Sequence, residues 1–280
     1  MKTKYSLSMF KEQKFNAVRS LTFEEFEKYS KFILRLVNIR NEENLFKIVE
    51  LNYLDLISRI ESSTKRFETE GLLTEEQEYL HLEINRLILN LLSSIRTYLD
   101  HTETRLKRSP GQDSEDYQLF KKETNTAYDN NFEYRFLYKL RNYSQHCGLP
   151  AGALTAYSSN DNTPQYQLIL NLLRDELLRN FDWGNPITKE LREKAEQFDI
   201  LSLIKTKFVL LESINDKVKI LSYKHHKTEG YALLDLLTQI DNKDGAPCLL
   251  SDTPMGNKTN LSISWFPFSA ITYITGVKLY

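Results

Sequence analysis

Residues 74–100 read TEEQEYLHLEINRLILNLLSSIRTYLD, and this stretch decides the fold. Its apolar side chains recur every three or four positions over about five turns, which is the spacing of a helix that buries one face. Thr74, Glu75 and Glu76 form a favourable helix start, because carboxylates are stabilised at the positive end of the helix dipole. The stretch therefore predicts a long helix at the centre of the core. Its apolar positions are Leu80, Ile84, Leu87, Ile88, Leu91, Leu92, Ile95, Tyr98 and Leu99.

Helical spacing continues on both sides of this stretch. Residues 1–109 hold a single glycine, Gly71, and no proline, so the N-terminal part of the chain is predicted to be helical. Past Gly245, alternating apolar and polar residues around Ile263 predict a strand, and residues 271–280 predict a second strand. The other predicted helices lie at about 22–36, 45–57, 113–128, 132–146, 166–178, 187–197, 199–222 and 228–241.

These elements predict a mainly α protein, an antiparallel helical bundle with additional helices and a small C-terminal β-hairpin. We expect four regions along the chain. They are N-terminal helices at 1–70, a bundle core at 71–150, a C-terminal helical region at 151–244 and a β-rich tail at 245–280. The aromatic tail either docks a partner or covers the helical core of its own chain; the second interpretation is the simpler.

Composition and charge exclude several function classes. Lys and Arg number 37 against 38 Asp and Glu, so no overall positive field draws a polyanion, and any nucleic-acid contact must be a local patch. The polar, Lys-rich residues 1–15 predict no signal peptide or membrane anchor, and we expect a cytoplasmic protein. Two cysteines, Cys147 and Cys248, predict neither a disulfide framework nor a zinc site. Loops typical of kinases, dehydrogenases and serine hydrolases are missing from the sequence.

Chemistry is concentrated in residues 128–150, YDNNFEYRFLYKLRNYSQHCGLP, which end in Arg141-Asn142-x-x-x-His146. Asn142 and His146 are four residues apart and share a helix face, whereas Arg141 and His146 diverge by about 140°, a gap that a long arginine side chain can partly close. The three residues can thus surround one ligand near the end of the helix. A guanidinium is a permanent cation with donors suited to phosphate, and an imidazole exchanges protons near neutral pH. This set can attack RNA without a metal: the imidazole takes the 2′-hydroxyl proton and the guanidinium stabilises the phosphorane.

The motif Arg141-Asn142-x-x-x-His146 resembles the Arg-polar-x(3–5)-His signature of the HEPN superfamily of helical ribonucleases, and residues 128–150 resemble a bacterial subgroup of it. The resemblance implies a helical bundle in which two copies of the signature face each other across a homodimer and form one metal-independent active site. It implies that Arg141 and His146 are the catalytic pair and that Asn142 helps to hold them. It also implies a toxin or an abortive-infection effector of antiviral defence, with an antitoxin or defence-system protein as a possible partner.

The residues flanking the motif are further candidates. Arg135 and Lys139 are predicted contacts for RNA phosphates, and Tyr143 is a predicted stacking surface for a base. Each has a plainer interpretation, since an exposed cation is commonly solvated surface and a half-buried tyrosine commonly packs. Neither a metal nor another cofactor is expected.

Three functional hypotheses follow. The first is a metal-independent endoribonuclease, and the second is a non-catalytic helical subunit that binds RNA or a protein. The third is a scaffold in which residues 141–150 merely end a helix, with His146 favoured by the negative end of the dipole and Arg141 paired with Glu133 or Asp129. Secondary polar clusters, for which surface roles are favoured, occur at Asp100, His101 and Glu103 and at His225 and His226.

Overall fold

The computed structural model describes residues 2–70, 74–158, 166–241, 244–256 and 258–279. The chain is mainly helical and carries two small antiparallel sheets, which agrees with the predicted fold class at this coarse level. It forms two compact units. Unit 1 comprises residues 1–44 and 219–280, and unit 2 comprises residues 45–218.

The helices and strands have the following bounds. The helices are α1 (Phe23–Glu70), α2 (Thr74–Leu106), α3 (Glu115–Asn130), α4 (Phe132–His146), α5 (Arg174–Asn180), α6 (Asn185–Arg192), α7 (Ile200–Lys224), α8 (Lys227–Thr238) and α9 (Phe268–Thr275). The strands are β1 (Lys4–Lys11), β2 (Lys14–Leu21), β3 (Ala153–Ser158), β4 (Tyr166–Leu173), β5 (Gln197–Asp199), β6 (Ala246–Met255) and β7 (Lys258–Trp265). A π-helical turn, Lys107–Gly111, follows α2.

Unit 1 is built on a four-stranded antiparallel sheet with the order β2-β1-β6-β7. Residues alternate between the two faces of a strand, so Leu7 and Met9 of β1 point to the same side. That side packs with apolar residues of α1, α8 and α9 into a buried core that includes Leu36, Leu233 and Ile271. The opposite face of the sheet carries Phe10, which is only partly buried.

Unit 2 has α2 at its centre, as the apolar spacing of residues 74–100 predicts. All nine predicted apolar positions of that helix are buried, and they pack against α3, α4 and α7. A three-stranded antiparallel sheet, β3-β4-β5, completes the unit. Its strand β4 inserts Leu168, Leu170 and Leu172 into the same core.

The N-terminal part of the chain differs from the prediction of helices alone. Residues 4–21 form the β1–β2 hairpin, in which Ser6 and Ser8 alternate with core residues. The turn places Glu12 and Gln13 at positive φ (48° and 63°) without a glycine, so the usual sequence signal of a hairpin turn is missing. The two predicted helices that follow are one continuous helix, α1, because no glycine or proline interrupts residues 23–70.

Two further elements were predicted in the wrong class. Residues 166–173 form a strand rather than the start of a helix, because their leucines are buried with the period of two that a strand requires. Residues 268–275 form helix α9 rather than a strand; it follows Pro267 and ends at Gly276, which has a φ of 71°. Tyr280 of that predicted strand lies outside the described residues. The strand around Ile263 is confirmed as β7, paired with β6.

Candidate functional site

Helix α4 carries the motif and has the predicted bounds, Phe132–His146. It follows α3, whose first turn is capped by the Ser114 hydroxyl accepting a hydrogen bond from the Tyr117 amide. Helix α4 ends where the Cys147 amide donates to the Tyr143 carbonyl at 2.8 Å. The motif therefore lies in the last two turns of a helix, as predicted. The buried face of α4 consists of Phe132, Tyr134, Phe136, Leu137, Leu140 and Tyr143.

The segment after His146 is fixed to helix α2 by a buried amide. The Asn85 side chain, which is fully buried, accepts from the Ala151 amide at 2.8 Å and donates to the Ala151 carbonyl at 3.3 Å. His81, one turn before Asn85, lies with Nε2 at 2.9 Å from the same carbonyl. A bond to both backbone groups of one residue fixes the position of the chain that leaves the motif.

Trp183 anchors the last turn of α4 from the other side. Its ring is 1 % exposed and stacks on Phe136 and Tyr143, with centroid separations of 5.0 and 5.7 Å. Its Nε1–H donates to the Leu177 carbonyl at 2.8 Å, which satisfies the one polar atom of the indole. Phe181 packs edge-on against the same indole. This aromatic cluster holds the motif helix in place.

The predicted RNA contact of Arg135 is not supported by its geometry. Its guanidinium makes a two-bond ion pair with Glu190 and donates to the Tyr128 and Asp129 carbonyls, at 2.7 and 3.1 Å. The carboxylate of Glu190 raises the pKa of Arg135, first through the side-chain hydrogen bond. With its side chain 11 % exposed, Arg135 joins α3, α4 and α6 and is already occupied as a donor.

Tyr143 also has a packing role in place of the predicted stacking on a base. Its ring is buried between Trp183 and Phe181, so no face is open to a nucleobase. Burial raises the pKa of its hydroxyl, and a hydrogen bond to Asn180 opposes that shift. Lys139 differs from both, because it is half-buried and makes no ion pair with a described residue. A Cβ atom added to Gly184 would lie 3.3 Å from the Lys139 Nζ, so the ammonium of Lys139 lies beside the start of α6.

Arg141 stands in contrast to Arg135, six residues earlier on the same helix. Its Nε is buried and has no hydrogen-bond partner, and Arg141 makes no ion pair within the described part of the chain. The alternative pairing with Glu133 or Asp129 is thus not observed. The side chain as a whole is half-buried. A buried guanidinium N–H without an acceptor is unfavourable, and no described residue satisfies the Arg141 Nε–H.

The structure leaves Asn142 half-buried and His146 exposed at the end of α4. His146 lies seven residues after Lys139 and therefore on the same side of the helix, whereas Arg141 lies seven residues after the buried Tyr134. Among the residues described, no hydrogen bond joins Arg141, Asn142 and His146. One copy of the chain thus presents the guanidinium and the imidazole on different sides of one helix end.

The secondary clusters make contacts with charged neighbours. Asp100 pairs with Arg96 at 2.6 Å and Glu103 pairs with Lys121 at 3.1 Å, as expected for charges near a helix end. His226 lies with Nδ1 at 3.5 Å from Glu229. The contacts of Asp100 and Glu103 agree with the surface interpretation, whereas His226 is half-buried beside the buried Glu229 and departs from it.

Lys207 is a feature of this region to which the sequence analysis assigns no role. It lies on α7, is 1 % exposed, and donates to the Tyr134 carbonyl at 3.2 Å. Its ammonium also sits 4.9 Å from the Tyr134 ring centroid, and no carboxylate among the described residues pairs with it. Burial, with a smaller contribution from the Arg96 charge, lowers its pKa to about 7. The signal in the sequence is its spacing: Lys207 follows Ile204 by three residues and precedes Leu211 by four, so it interrupts the apolar face of α7.

Replacing this lysine tests the effect of its burial. A lowered pKa means that the unfolded chain binds one more proton than the folded chain between about pH 7 and the ordinary lysine pKa, so stability rises with pH across that range. We expect Lys207→Met to increase the free energy of unfolding by about 1–4 kcal/mol at or below pH 7, where the charged form is present. This increase in the free energy of unfolding should become smaller toward pH 10.

Denaturant titrations at about pH 7 and about pH 10 measure this difference. Lys205→Met on the exposed side of α7 is the matched control, and its stability should be unchanged within about 0.5 kcal/mol. A loss of stability in Lys207→Met at both pH values would contradict the expectation.

Among the described residues no helix is long and apolar enough to cross a bilayer, and no three His, Cys, Asp or Glu side chains come together as metal ligands do. No family model, no curated protein and no solved structure matches the chain significantly.

Proposed function

We propose that the protein is a metal-independent endoribonuclease that acts in the cytoplasm as a homodimer, with Arg141 and His146 as its catalytic pair. The observation that carries this proposal is the contrast between two arginines of α4. Arg135 donates hydrogen bonds to Glu190 and to backbone carbonyls, whereas Arg141 has no partner among the described residues. A phosphate oxygen is the acceptor that suits such a guanidinium.

The proposed reaction begins at the exposed imidazole. His146 removes the proton of a ribose 2′-hydroxyl, and that oxygen attacks the adjacent phosphorus. Arg141 stabilises the negative charge that builds up on the phosphorane oxygens. The bond to the 5′-oxygen then breaks, and that oxygen takes up the proton that the imidazole received and leaves as a 5′-hydroxyl. The products are a 2′,3′-cyclic phosphate end and a 5′-hydroxyl end, and atoms balance without a metal or a water molecule.

A homodimer accounts for the divergence of the two side chains. Arg141 and His146 point about 140° apart on one α-helix, so one copy does not readily enclose a phosphate between them. Two copies related by a twofold axis can set Arg141 of one copy opposite His146 of the other. In this arrangement Asn142, which lies between them in sequence, orients the groups, and Lys139 adds positive charge on the same side of the helix as His146.

The test is cleavage of a labelled RNA by the purified protein in excess EDTA. We expect new fragments that carry 2′,3′-cyclic phosphate ends, and no cleavage of the same sequence made of DNA, because DNA lacks the 2′-hydroxyl. Fragments with 5′-phosphate ends, or activity that EDTA removes, would contradict the proposal.

The proposed biological role is that of a toxin or antiviral-defence effector. Expression of the protein should then arrest growth, and His146→Ala should relieve the arrest.

A second candidate function is an RNA-binding or protein-interaction subunit without catalysis. It is favoured by the finding that no described hydrogen bond links Arg141, Asn142 and His146. Filter binding separates the two functions. The binding subunit would be supported by RNA binding without cleavage, with an affinity that falls steeply as salt is added. That affinity should be lost in Arg141→Ala but kept in Arg179→Ala, which changes an exposed arginine of α5.

A further inference from the structure

Strand β7 forms an open edge of the unit 1 sheet. It pairs with β6 on one side and is the last strand in the order β2-β1-β6-β7. On its other side, no strand from the described part of the chain pairs with it. A strand edge presents a row of backbone N–H and C=O groups, which makes it a template for another strand.

Three apolar side chains of β7 are exposed on one face of the sheet. Leu261, Ile263 and Trp265 are 44 %, 37 % and 45 % exposed, and they alternate with Ser262 and Ser264. They lie on the face of the sheet opposite the unit 1 core, since their register partners in β6 include Leu250 and exclude the core residue Leu249. Exposed apolar side chains in a continuous row on one face mark a contact surface.

An aromatic contact holds Trp265 in position on this face. The Phe10 ring packs edge-on against the indole, with a centroid separation of 5.8 Å, and Phe15 packs on Phe10 at 4.8 Å. The three rings form a row across the sheet. The apolar surface that ends at β7 is therefore ordered before any partner arrives, which lowers the entropic cost of association.

The other edge of the same sheet is protected. Strand β2 carries Lys14 and Arg19, and it pairs with β1 through an irregularity between Leu7 and Ser8. Charged side chains and bulges are the features that stop edge strands from pairing. Strand β7 has neither, since its single charge is Lys258 at its first residue and its register with β6 is regular.

We propose that β7 pairs antiparallel with β7 of a second copy of this chain, about a twofold axis at Ile263. This register sets Ile263 opposite itself and each Leu261 opposite Trp265 of the other copy. All the exposed apolar side chains then meet on one face, and Ser262 meets Ser264 on the other. The two sheets become one eight-stranded sheet.

A second copy fits this edge without charge repulsion in the proposed register. No residue from Leu261 to Trp265, the part of β7 that pairs, is charged, so the paired length contains no like-charge contact. The two Lys258 residues lie at opposite ends, roughly 30 Å apart along the strands. An isologous contact also needs a self-complementary segment, and the sequence Leu-Ser-Ile-Ser-Trp is nearly symmetric about Ile263 in its alternation of apolar and polar residues.

Oxidative cross-linking of the full chain tests this register. In a Cys147→Ser background, which removes the exposed native cysteine, Ile263→Cys places two thiols on the proposed axis. Opposed residues of antiparallel strands have Cα separations within the range that a disulfide spans. We expect a covalent dimer from Ile263→Cys and none from the matched control Ser264→Cys, which faces Ser262 of the other copy. Equal cross-linking of both variants, or of neither, would overturn the proposal.

A second variant measures the same contact without cysteines. Ile263→Lys puts two positive charges together on the axis, and we expect it to lower the mass of the assembly by sedimentation. Val18→Lys, on the protected edge β2, should leave that mass unchanged. A monomeric wild-type chain, which would leave the edge to a different protein or to solvent, overturns the proposal. The inference is independent of the proposed function: RNA cleavage can persist in Ile263→Lys, and its loss in His146→Ala leaves the cross-link intact.

Discussion

Replacing His146 by alanine should reduce the rate of RNA cleavage by about 10²–10⁴-fold, the usual contribution of a general acid or base. Replacing Arg141 by alanine should reduce it by about 10²–10³-fold, because the phosphorane loses its charge stabilisation. Since both groups act on the same phosphate in the same step, their effects should not add. The double variant should be little slower than the slower single variant. Single-turnover rates on one labelled RNA in EDTA measure all three.

Gln145→Ala and Arg179→Ala are the matched controls for these rates. Gln145 is the exposed neighbour of His146, and Arg179 is an exposed arginine outside the motif. Both should cleave RNA within about threefold of wild type, an effect of less than 1 kcal/mol. Arg141→Lys should recover only part of the rate, because an ammonium lacks the paired donors of a guanidinium. Persistent cleavage by His146→Ala and Arg141→Ala would remove the catalytic assignment.

Trp183→Ala should lower the free energy of unfolding by about 3–5 kcal/mol, the range measured for large buried aromatic side chains. The loss combines the cavity left beneath Phe136 and Tyr143 with the missing donor to the Leu177 carbonyl. Because Tyr143 belongs to the last turn of α4, the variant should also loosen the motif. RNA cleavage should therefore fall at temperatures at which the fold is still intact.

Guanidinium titration followed by far-UV circular dichroism measures this stability. Tyr79→Ala, which removes an exposed aromatic side chain from α2, is the control and should change the unfolding free energy by about 0.5 kcal/mol or less. Trp183→Phe, which refills most of the cavity, should recover much of the loss. A Trp183→Ala protein as stable as wild type would show that the aromatic cluster does not anchor α4.

The helical core could be predicted because the apolar spacing of its helices continues over many residues and because the ends of these helices are marked in the sequence. Residues 74–106 show a regular apolar stripe, and α4 ends before Gly148 and Pro150, so both helices were predicted closely. Strands β1 and β4 were not predicted, for two different reasons. The β1–β2 turn uses Glu12 and Gln13 where glycine or asparagine is the usual signal, and in β4 the leucines also fit helical spacing. Short apolar runs do not distinguish a buried strand from a helix.

The candidate site could be predicted in its position but not in its contacts. Sequence spacing located the motif on the last turns of a helix and gave the divergence of Arg141 and His146. It could not show that Arg135 is bound by Glu190, because that partner is 55 residues away. The burial of Tyr143 depends on Trp183, another distant residue. Contacts with residues distant in sequence thus determine which polar residues of one helix remain available to bind a ligand.

The most direct measurement of the central claim is a mixing experiment with two inactive variants. Arg141→Ala and His146→Ala are mixed under conditions that allow subunits to exchange, and RNA cleavage is measured in EDTA. Random exchange makes half of the dimers mixed, and each mixed dimer keeps one of its two facing Arg141–His146 pairs intact, so about a quarter of the wild-type rate should return. A mixture that stays as inactive as the separate variants, after exchange has been verified, would contradict an active site shared between two copies.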